Sequence, residues 1–455
     1  MDIKELYKLY QQHPCITTDS RNCPEGSIFL ALKGASFNGN QFALQALEKG
    51  CSYAIVDEEV ADSAAEANSS LFSEESECGV ANTLHSSLIR VDDCLQTYKD
   101  LAREHRRQFD IPMVGITGTN GKTTTKELIR SVLAEEYSVM ATEGNFNNDV
   151  GVPKTLFRLD DNADIAVVEM GASHPGDIKT LIETAEPTCG LITNVGKAHL
   201  QGFGSFEGVK KTKGELYDYL KAHDALVFIN GNNEHLLQMA QSRDICRAIE
   251  YGTQEDCQVN GSIISCAPFL KFQWNSNVDG INVQQEIQTH LIGSYNIDNM
   301  LAAIIVGYVN NIPFDKINHA LESYKPTNNR SQMTETQTNH LIVDAYNANP
   351  TSMAAALDNF SLMEVSPKMA ILGDMRELGE ASAEEHQKAV DLMKEYGFEN
   401  IWLVGDEFGN TQCNYRKFKD VEEVKAAIIA EDIKGYNILI KGSNSTKLWQ
   451  LPPLL

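Results

Sequence analysis

The chain has 455 residues, of which 42% are apolar and 22% charged, and a formal net charge of -25. That length exceeds one ordinary core and predicts roughly three domains at about 150 residues each, with no apolar run near the roughly 18 residues of a membrane span. The negative charge repels phosphate backbones and argues against a nucleic-acid partner, and the ten cysteines include no Cys-x-x-Cys pair, as expected of reduced thiols in a cytoplasmic protein.

The opening residues, Asp2 to Tyr10, place apolar side chains at helical spacing with charges between them, which predicts a folded helix and not a leader. A strand at Ser27–Leu32, a helix near Gln41–Lys49 and a strand at Tyr53–Val56 complete a small α/β unit over residues 1–90. Residues 61–87 are rich in Ser, Ala and Glu, the composition of an exposed insertion.

From Ile111 the pattern becomes strand, glycine-rich loop, helix, with Leu128, Ile129, Val132 and Leu133 on one helical face. Short apolar runs at Ile165–Val168, Leu191–Ile192 and Ala225–Ile229 alternate with helical stretches, predicting a mainly parallel sheet in a central domain over residues 91–326. Tyr324-Lys-Pro326 is the expected linker. Beyond it, strands at Leu341–Val343, Met369–Leu372, Ile401–Val404 and Ile438–Ile440, with helices at Ser382–Tyr396 and Val421–Asp432, predict a smaller doubly wound domain over residues 327–455.

The sharpest chemical signal is Gly115-Ile-Thr-Gly118-Thr-Asn-Gly121-Lys122-Thr-Thr-Thr125, between a strand and a helix. There, backbone N–H groups of Gly118, Thr119, Asn120, Gly121 and Thr124 can cradle phosphates, Lys122 can reach the β/γ oxygens, and the Thr123 hydroxyl can hold Mg²⁺. The spacing departs from G-x-x-x-x-G-K-[ST], because Ile116 stands where the first glycine is usual. Glu169 ends an apolar strand at the expected carboxyl edge of the sheet, where a carboxylate can complete a Mg²⁺ site; a solvated strand end is the plainer reading. His199 follows another strand and can bind metal or position phosphate, or simply sit at the surface. Arg330 has no obvious helical partner, and its guanidinium suits a transferring phosphoryl group. Asp344-Ala-Tyr-Asn347-Ala-Asn349-Pro350 reads equally as nucleotide contact or as a helix start capped by Asn349 or Thr351.

The variant loop resembles the ATP loop of the Mur ligases and the folylpolyglutamate synthases. The Mur side is favoured because Asn145-Phe-Asn147-Asn148-Asp-Val-Gly-Val-Pro153, Glu169-Met-Gly-Ala-Ser, Asn194-Val-Gly-Lys-Ala-His199 and Lys213-Gly-Glu215 follow in the order found in that family. The resemblance covers nearly the whole chain. It implies a three-domain α/β fold: an N-terminal UDP-binding domain, a central P-loop ATPase-like parallel sheet and a C-terminal Rossmann-like domain. It also implies an ATP- and Mg²⁺-dependent amide ligase, expected to be cytoplasmic and monomeric.

For the residues, the resemblance implies a carbamylated Lys213 that joins Thr123, Glu169 and His199 as metal ligands, with Lys122 and Arg330 on the phosphates. Tyr295-Asn296, Asp344 and Asn347 would meet the nucleotide; Tyr295 stands where the family often has histidine. Read by itself, Lys213 lies in a basic turn, Lys210-Lys-Thr-Lys213. Thr17-Thr-Asp19-Ser20-Arg21 and Phe29-Leu-Ala-Leu-Lys33-Gly34 resemble the UDP-sugar-binding domain, so Asp19, Ser20, Arg21 and Lys33, with Asn145, Asn147 and Asn148, are expected to hold a UDP-N-acetylmuramoyl-tripeptide. Asn38 and Asn40 replace the family's aspartate and histidine there. Leu372-Gly-Asp374-Met-Arg-Glu377-Leu378-Gly resembles the segment of members that add D-alanyl-D-alanine, and the Asp-Asn-Pro-Arg motif of diaminopimelate-adding members is absent. Asp374, Glu377 and Leu378 are therefore expected at the dipeptide. The alternatives are a member adding the third residue, or a nucleotide switch that makes no bond.

Overall fold

A computed structural model describes residues 2–34, 36–60, 86–266, 268–276, 283–326 and 332–455. Arg330 and nearly all of the Ser/Ala/Glu-rich segment lie outside the described residues. The chain forms two compact units, one of Met1–Asp110 with Glu143–Asp161 and Glu183–Glu186, the other of Ile111–Thr142, Asn162–Ile182 and Pro187–Leu455.

The first unit holds a four-stranded parallel sheet in sequential order, β1 (Ile16–Thr17), β2 (Ile28–Leu30), β3 (Tyr53–Val56) and β4 (Leu88–Arg90). Helix α1 (Ile3–Gln12) starts in a capping box made by Asp2 and Glu5 and buries Leu6, Tyr7 and Tyr10, one stripe at helical spacing. Helix α2 (Cys94–Arg106), capped by Asp93, packs against α1. Its His105 is enclosed: the Nε2–H donates to the Leu159 carbonyl (3.0 Å), and Nδ1 accepts from the Tyr7 hydroxyl (3.0 Å). Phe157 stacks on Tyr98 and His105. These contacts draw residues 143–161 into this unit, whose first stretch runs to Asp110; the strand and helix pattern of the sequence placed the small α/β unit over residues 1–90.

The second unit carries two sheets. The larger comprises β5 (Met113–Thr117), β6 (Val139–Ala141), β7 (Ile165–Glu169), β8 (Cys189–Ile192), β9 (Leu226–Asn230), β10 (Ala248–Gly252), β11 (Val259–Ser265), β12 (Lys271–Ser276) and β13 (Val283–Gln288). Its order is β13-β12-β11-β10-β9-β8-β5-β7-β6, parallel from β6 to β11 and antiparallel through β11, β12 and β13. β5 and β7 are buried along their whole length, which is why they read as continuous apolar runs. Helix α3 (Lys122–Leu133) follows β5, α4 (Phe206–Ala222) follows β8, and α5 (Asn296–Val309), buried over most of its length, packs on α3. The chain leaves β5 toward β6 and β7 on one side and returns to β8 on the other, so the carboxyl end of β5 is a topological switch point where ligands bind in such sheets.

The smaller sheet has the order β14 (Gln332–Glu335), β15 (His340–Asp344), β19 (Asn437–Lys441), β16 (Lys368–Gly373), β17 (Ile401–Val404), β18 (Arg416–Phe418), parallel except at β14. Its helices include α6 (Pro350–Leu362), α7 (Ser382–Glu395), α8 (Asp406–Gly409) and α9 (Val421–Glu431). Three sheets thus stand where three α/β domains were expected.

Candidate active site

Residues Gly118 to Thr124 form the turn from β5 into α3. Gly118 adopts φ +146° and lies so close to Thr193 that an added Cβ would stand 2.0 Å from its Oγ1, so any side chain here would displace the loop. The turn is fixed by the connection leaving β8. The Asn120 N–H donates to Asn194 Oδ1 (3.0 Å), Asn194 Nδ2 and Thr193 Oγ1 donate back to the Asn120 carbonyl (3.1 and 2.6 Å), and Gly196 N–H donates to Thr119 Oγ1 (3.0 Å). Lys122 Nζ donates to the Gly118 and Thr119 carbonyls (2.8 and 3.0 Å), which keeps the ammonium beside the turn. Asn194 and Gly196 belong to the Asn194–His199 segment noted in the sequence, whereas Thr193, which also holds the loop, carries no local signal.

Thr123 Oγ1 donates to Glu169 Oε2 (3.0 Å), joining the start of α3 to the end of β7, and Thr142 Oγ1 accepts from the Glu169 N–H (3.0 Å). A hydroxyl and a carboxylate are hard oxygen donors of the kind Mg²⁺ prefers, and such sites commonly draw their remaining ligands from phosphate and water. Among the described residues no group of three or more His, Cys, Asp or Glu side chains is arranged to hold a metal by itself.

Lys213 is inside α4 and 2% exposed, not in a solvated turn. Its Nζ lies 5.7 Å from the centre of the Phe203 ring. Burial above all, and then the Lys122 charge, push its ammonium well below the ordinary lysine value, against Asp177, Glu215 and Glu169. Glu215 accepts from the Gly176 and Lys179 N–H groups (3.1 and 2.8 Å).

Several contacts join the loops of the larger sheet to those of the smaller. Asn349 caps α6 by accepting from Ser352 N–H (2.9 Å), as the helix-start reading of the Asn-Ala-Asn-Pro segment expects, and sends its Nδ2 to Asn120 Oδ1 (2.7 Å). Lys197 Nζ meets Glu385 of α7 (3.1 Å). His199, at φ +50°, pairs through Nδ1 with Glu377, at φ +63°. Two non-glycine residues in left-handed conformations meeting through their side chains is the kind of strain that functional sites retain.

The other expected nucleotide residues are less open. Asn296 is buried; its Nδ2 donates to the Ile292 carbonyl (2.8 Å) and its Oδ1 accepts from Asn299 (2.8 Å). Asp344 Oδ2 accepts from the buried Lys441 (2.5 Å), while Asn347 is exposed in the connection to α6. Half-buried Asp298, bonded by Asn230 (3.0 Å) and Asn232 (2.6 Å), is a further polar group with no local sequence signal.

The segment expected at the dipeptide is divided among three tasks. Asp374 is fully buried and accepts from the Glu407 and Phe408 N–H groups (3.2 and 2.9 Å), so its oxygens cap the start of α8; Leu378 is buried in the core. Those two side chains are engaged in packing and capping. Of the three, Glu377 alone carries an exposed side chain, the one that meets His199.

In the first unit, Asp19, Ser20 and Arg21 follow β1 and Lys33 follows β2. Arg21 grips Asp19 through Nε and Nη2 (both 2.9 Å), and those bonds hold the Asp19 carboxyl down at about 2. Lys33 bridges Glu58 (2.8 Å) and Asp57 (3.0 Å), which raises its ammonium value. Buried Asn40 donates to Asp57 Oδ1 (2.8 Å) and Asn38 Oδ1 (2.9 Å), holding the framework together where the family often has histidine. Asn145, Asn147 and Asn148 belong to this unit; Asn145 and Asn148 are exposed, and Asn148 accepts from Gly151 N–H (2.9 Å).

Profiles of the Mur ligase family match three successive stretches: the catalytic domain at residues 14–106, the Mur ligase middle domain at 116–307 and the glutamate ligase domain at 329–444. The chain is 31% identical over 452 residues to UDP-N-acetylmuramoyl-tripeptide–D-alanyl-D-alanine ligase of Bacillus subtilis, covering 96% of this chain and 92% of that one. It is 32% identical over 440 residues to the protein of the same name from Synechocystis, covering 95% and 90%. Among solved structures, MurF from Acinetobacter baumannii superposes with a TM-score of 0.84 at 26% identity, covering 98% of this chain and 96% of that one.

Proposed function

Because the chain belongs to the Mur ligase family, we propose that it adds D-alanyl-D-alanine to UDP-N-acetylmuramoyl-tripeptide, consuming ATP and yielding the UDP-muramyl pentapeptide of peptidoglycan synthesis, ADP and phosphate. The observation that carries this reading is the likeness, over 96% of the chain, to a relative named for that reaction. A cytoplasmic location follows from the substrates, ATP and a nucleotide-linked precursor.

A carboxylate and an amine at neutral pH form a salt, not an amide, so the acid first needs a leaving group. The γ-phosphoryl of ATP supplies one: a carboxylate oxygen of the tripeptide attacks the γ-phosphorus, ADP leaves, and an acyl phosphate forms. The free amine of the dipeptide then attacks the acyl carbon, loses a proton, and expels phosphate from the tetrahedral intermediate. Catalysis of this kind is mostly positioning and charge neutralisation.

In this scheme the backbone N–H groups of Gly118 to Thr124 cradle the phosphates, and Lys122 exchanges its two loop carbonyls for β/γ oxygens. Arg330, assigned from sequence alone, neutralises the transferring group. Mg²⁺ supplies charge neutralisation on the phosphate oxygens when bound, and Thr123, Glu169, His199 and a carbamylated Lys213 are the residues that would hold it. A buried lysine pushed toward its neutral form offers the lone pair that CO₂ takes up: an N–C bond forms, a proton leaves, and the product is an anion beside Lys122. The first unit holds the UDP end through the loops bearing Asp19, Ser20, Arg21 and Lys33 and the segment bearing Asn145, Asn147 and Asn148. The third sheet's connection around Glu377 presents the dipeptide.

The direct test combines the protein with ATP, Mg²⁺, UDP-muramyl tripeptide and D-alanyl-D-alanine and follows phosphate release. Release that depends on both the acceptor and the dipeptide is expected. Release indifferent to the dipeptide rejects the assignment, and replacing the dipeptide by a diamino acid or glutamate exposes another specificity within the family.

A further inference from the structure

The carboxyl edge of the four-stranded sheet is where an open parallel sheet binds its ligand. Three connections gather there, bearing Asp19, Ser20 and Arg21 after β1, Lys33, Gly34 and Phe37 after β2, and Asp57 and Glu58 after β3. The cations at this edge are already spoken for, Arg21 by Asp19 and Lys33 by Asp57 and Glu58. An incoming diphosphate therefore has to take each cation from a carboxylate it already holds, and exchanging one ion pair for another adds little net attraction. Something other than charge must supply much of the grip on a nucleotide-sugar.

Phe37 has the features of such a contact. It is 54% exposed, an unusual place for a phenyl ring. The ring is not loose: Lys33 and Asn38 form an antiparallel bridge, the Gly34 N–H donates to the Phe37 carbonyl (2.9 Å), and Asn38 Nδ2 donates to Glu58 Oε2 (2.6 Å). The ring also packs over Gly34, where an added Cβ would stand 2.3 Å from Phe37 Cε1. The phenyl group is thus backed by a glycine, fixed on the connection that the Lys33–Asn38 bridge closes, and open to solvent elsewhere. A flat, preorganised apolar surface on the same connection as the Lys33 cation matches the two ends of a uridine diphosphate, a flat base and an anionic diphosphate.

We infer that Phe37 is the stacking platform for the uracil ring of the UDP-linked acceptor, and that it governs the affinity for this substrate without taking part in the chemistry. The inference rests on the reading of the chain as a UDP-muramyl-peptide ligase. Stacking tolerates any flat ring, so tyrosine or tryptophan at this position preserves function and alanine does not.

The test uses the full chain with Phe37→Ala and Phe37→Trp. With ATP and dipeptide saturating, Phe37→Ala should raise KM for UDP-muramyl tripeptide roughly tenfold while leaving kcat and the dipeptide KM within about twofold, as loss of one base-aromatic stack implies. Phe37→Trp should keep KM near that of the parent, and UDP alone should change the fluorescence of the introduced indole beyond any change seen in the parent, which has three tryptophans of its own. An unchanged KM in Phe37→Ala overturns the platform, as does UDP that competes with the acceptor yet leaves the indole signal unmoved. Calorimetry with UDP keeps the two readings apart: a parent protein without dipeptide-dependent phosphate release sinks the ligase assignment alone, while equal UDP affinity in the parent and Phe37→Ala sinks the platform alone.

Discussion

Asn349 and Asn120 are 229 positions apart, yet the Asn349 carboxamide donates to that of Asn120 across 2.7 Å while its oxygen caps α6. One side chain therefore starts a helix beside the smaller sheet and touches the loop between β5 and α3 of the larger one. Asn120 is held on its other side by Thr193 and Asn194, so this loop is tied to both neighbours.

The two tasks of Asn349 separate by substitution. Asn349→Ala loses both and should cost about 1 kcal/mol of stability, as cap removal typically does. Asn349→Asp keeps a capping oxygen and loses only the donor to Asn120, so its melting temperature should stay near that of the parent while KM for ATP rises. Thermal unfolding with ATP titration checks this; an unaltered KM in Asn349→Asp removes the contact from nucleotide binding.

Glu169→Gln keeps the shape of the bond from Thr123 and removes the charge. Turnover should then need more Mg²⁺, whereas the folded state without metal should melt as before. Titrating Mg²⁺ against phosphate release gives the answer, and a parent-like requirement would place the ion elsewhere. Chelation of the parent protein should abolish turnover and spare the fold.

Lys213→Met should abolish ligation yet stabilise the substrate-free protein in bicarbonate-free buffer at neutral pH. The sign follows from burial, which lowers the folded value below the unfolded value of about 10.4, so the unfolded chain binds a proton that the folded state resists. That contribution is present above the unfolded value and is lost as pH falls toward the folded one. The parent's stability should therefore rise with pH over this window, with a flatter profile for Lys213→Met. Denaturant unfolding at several pH values measures both slopes; equal slopes would mean that Lys213 does not titrate as a buried amine.

His105 gives the first unit an acid sensitivity. Burial lowers its pKa, outweighing the bond to Leu159, and the neutral ring is matched to Tyr7 and the Leu159 carbonyl. Its contribution is complete above the unfolded value of about 6.5 and declines as pH falls through the folded one. Hydrogen exchange in residues 94–106 should accelerate between neutral and acidic pH. His105→Gln should be less stable at neutral pH and show less of this dependence; an identical pH profile would acquit the histidine.

Much of the molecule was legible locally. The strand, turn and helix around Lys122 could be read because an apolar run, glycines and an amphipathic helix are short-range signals, and Gly118 now has its reason in the approach of Thr193. The short strands β1 and β18 were not legible, since two or three residues carry no periodicity. The packing of α2 into the first unit was not legible either, because nothing within residues 94–106 announces that His105 and Tyr98 will pack with Tyr10 and Phe157.

The sequence by itself determined the α/β class, the phosphate loop and the kinship that assigns the reaction, because turn chemistry and hydrophobic alternation act over a few residues and motifs keep their order along the chain. Only the tertiary structure decided that Lys213 is buried, that Asp374 caps a helix, and that Glu377 meets His199. Burial and charge pairing depend on which strands become neighbours, and the order β8-β5-β7 joins residues that no local pattern connects.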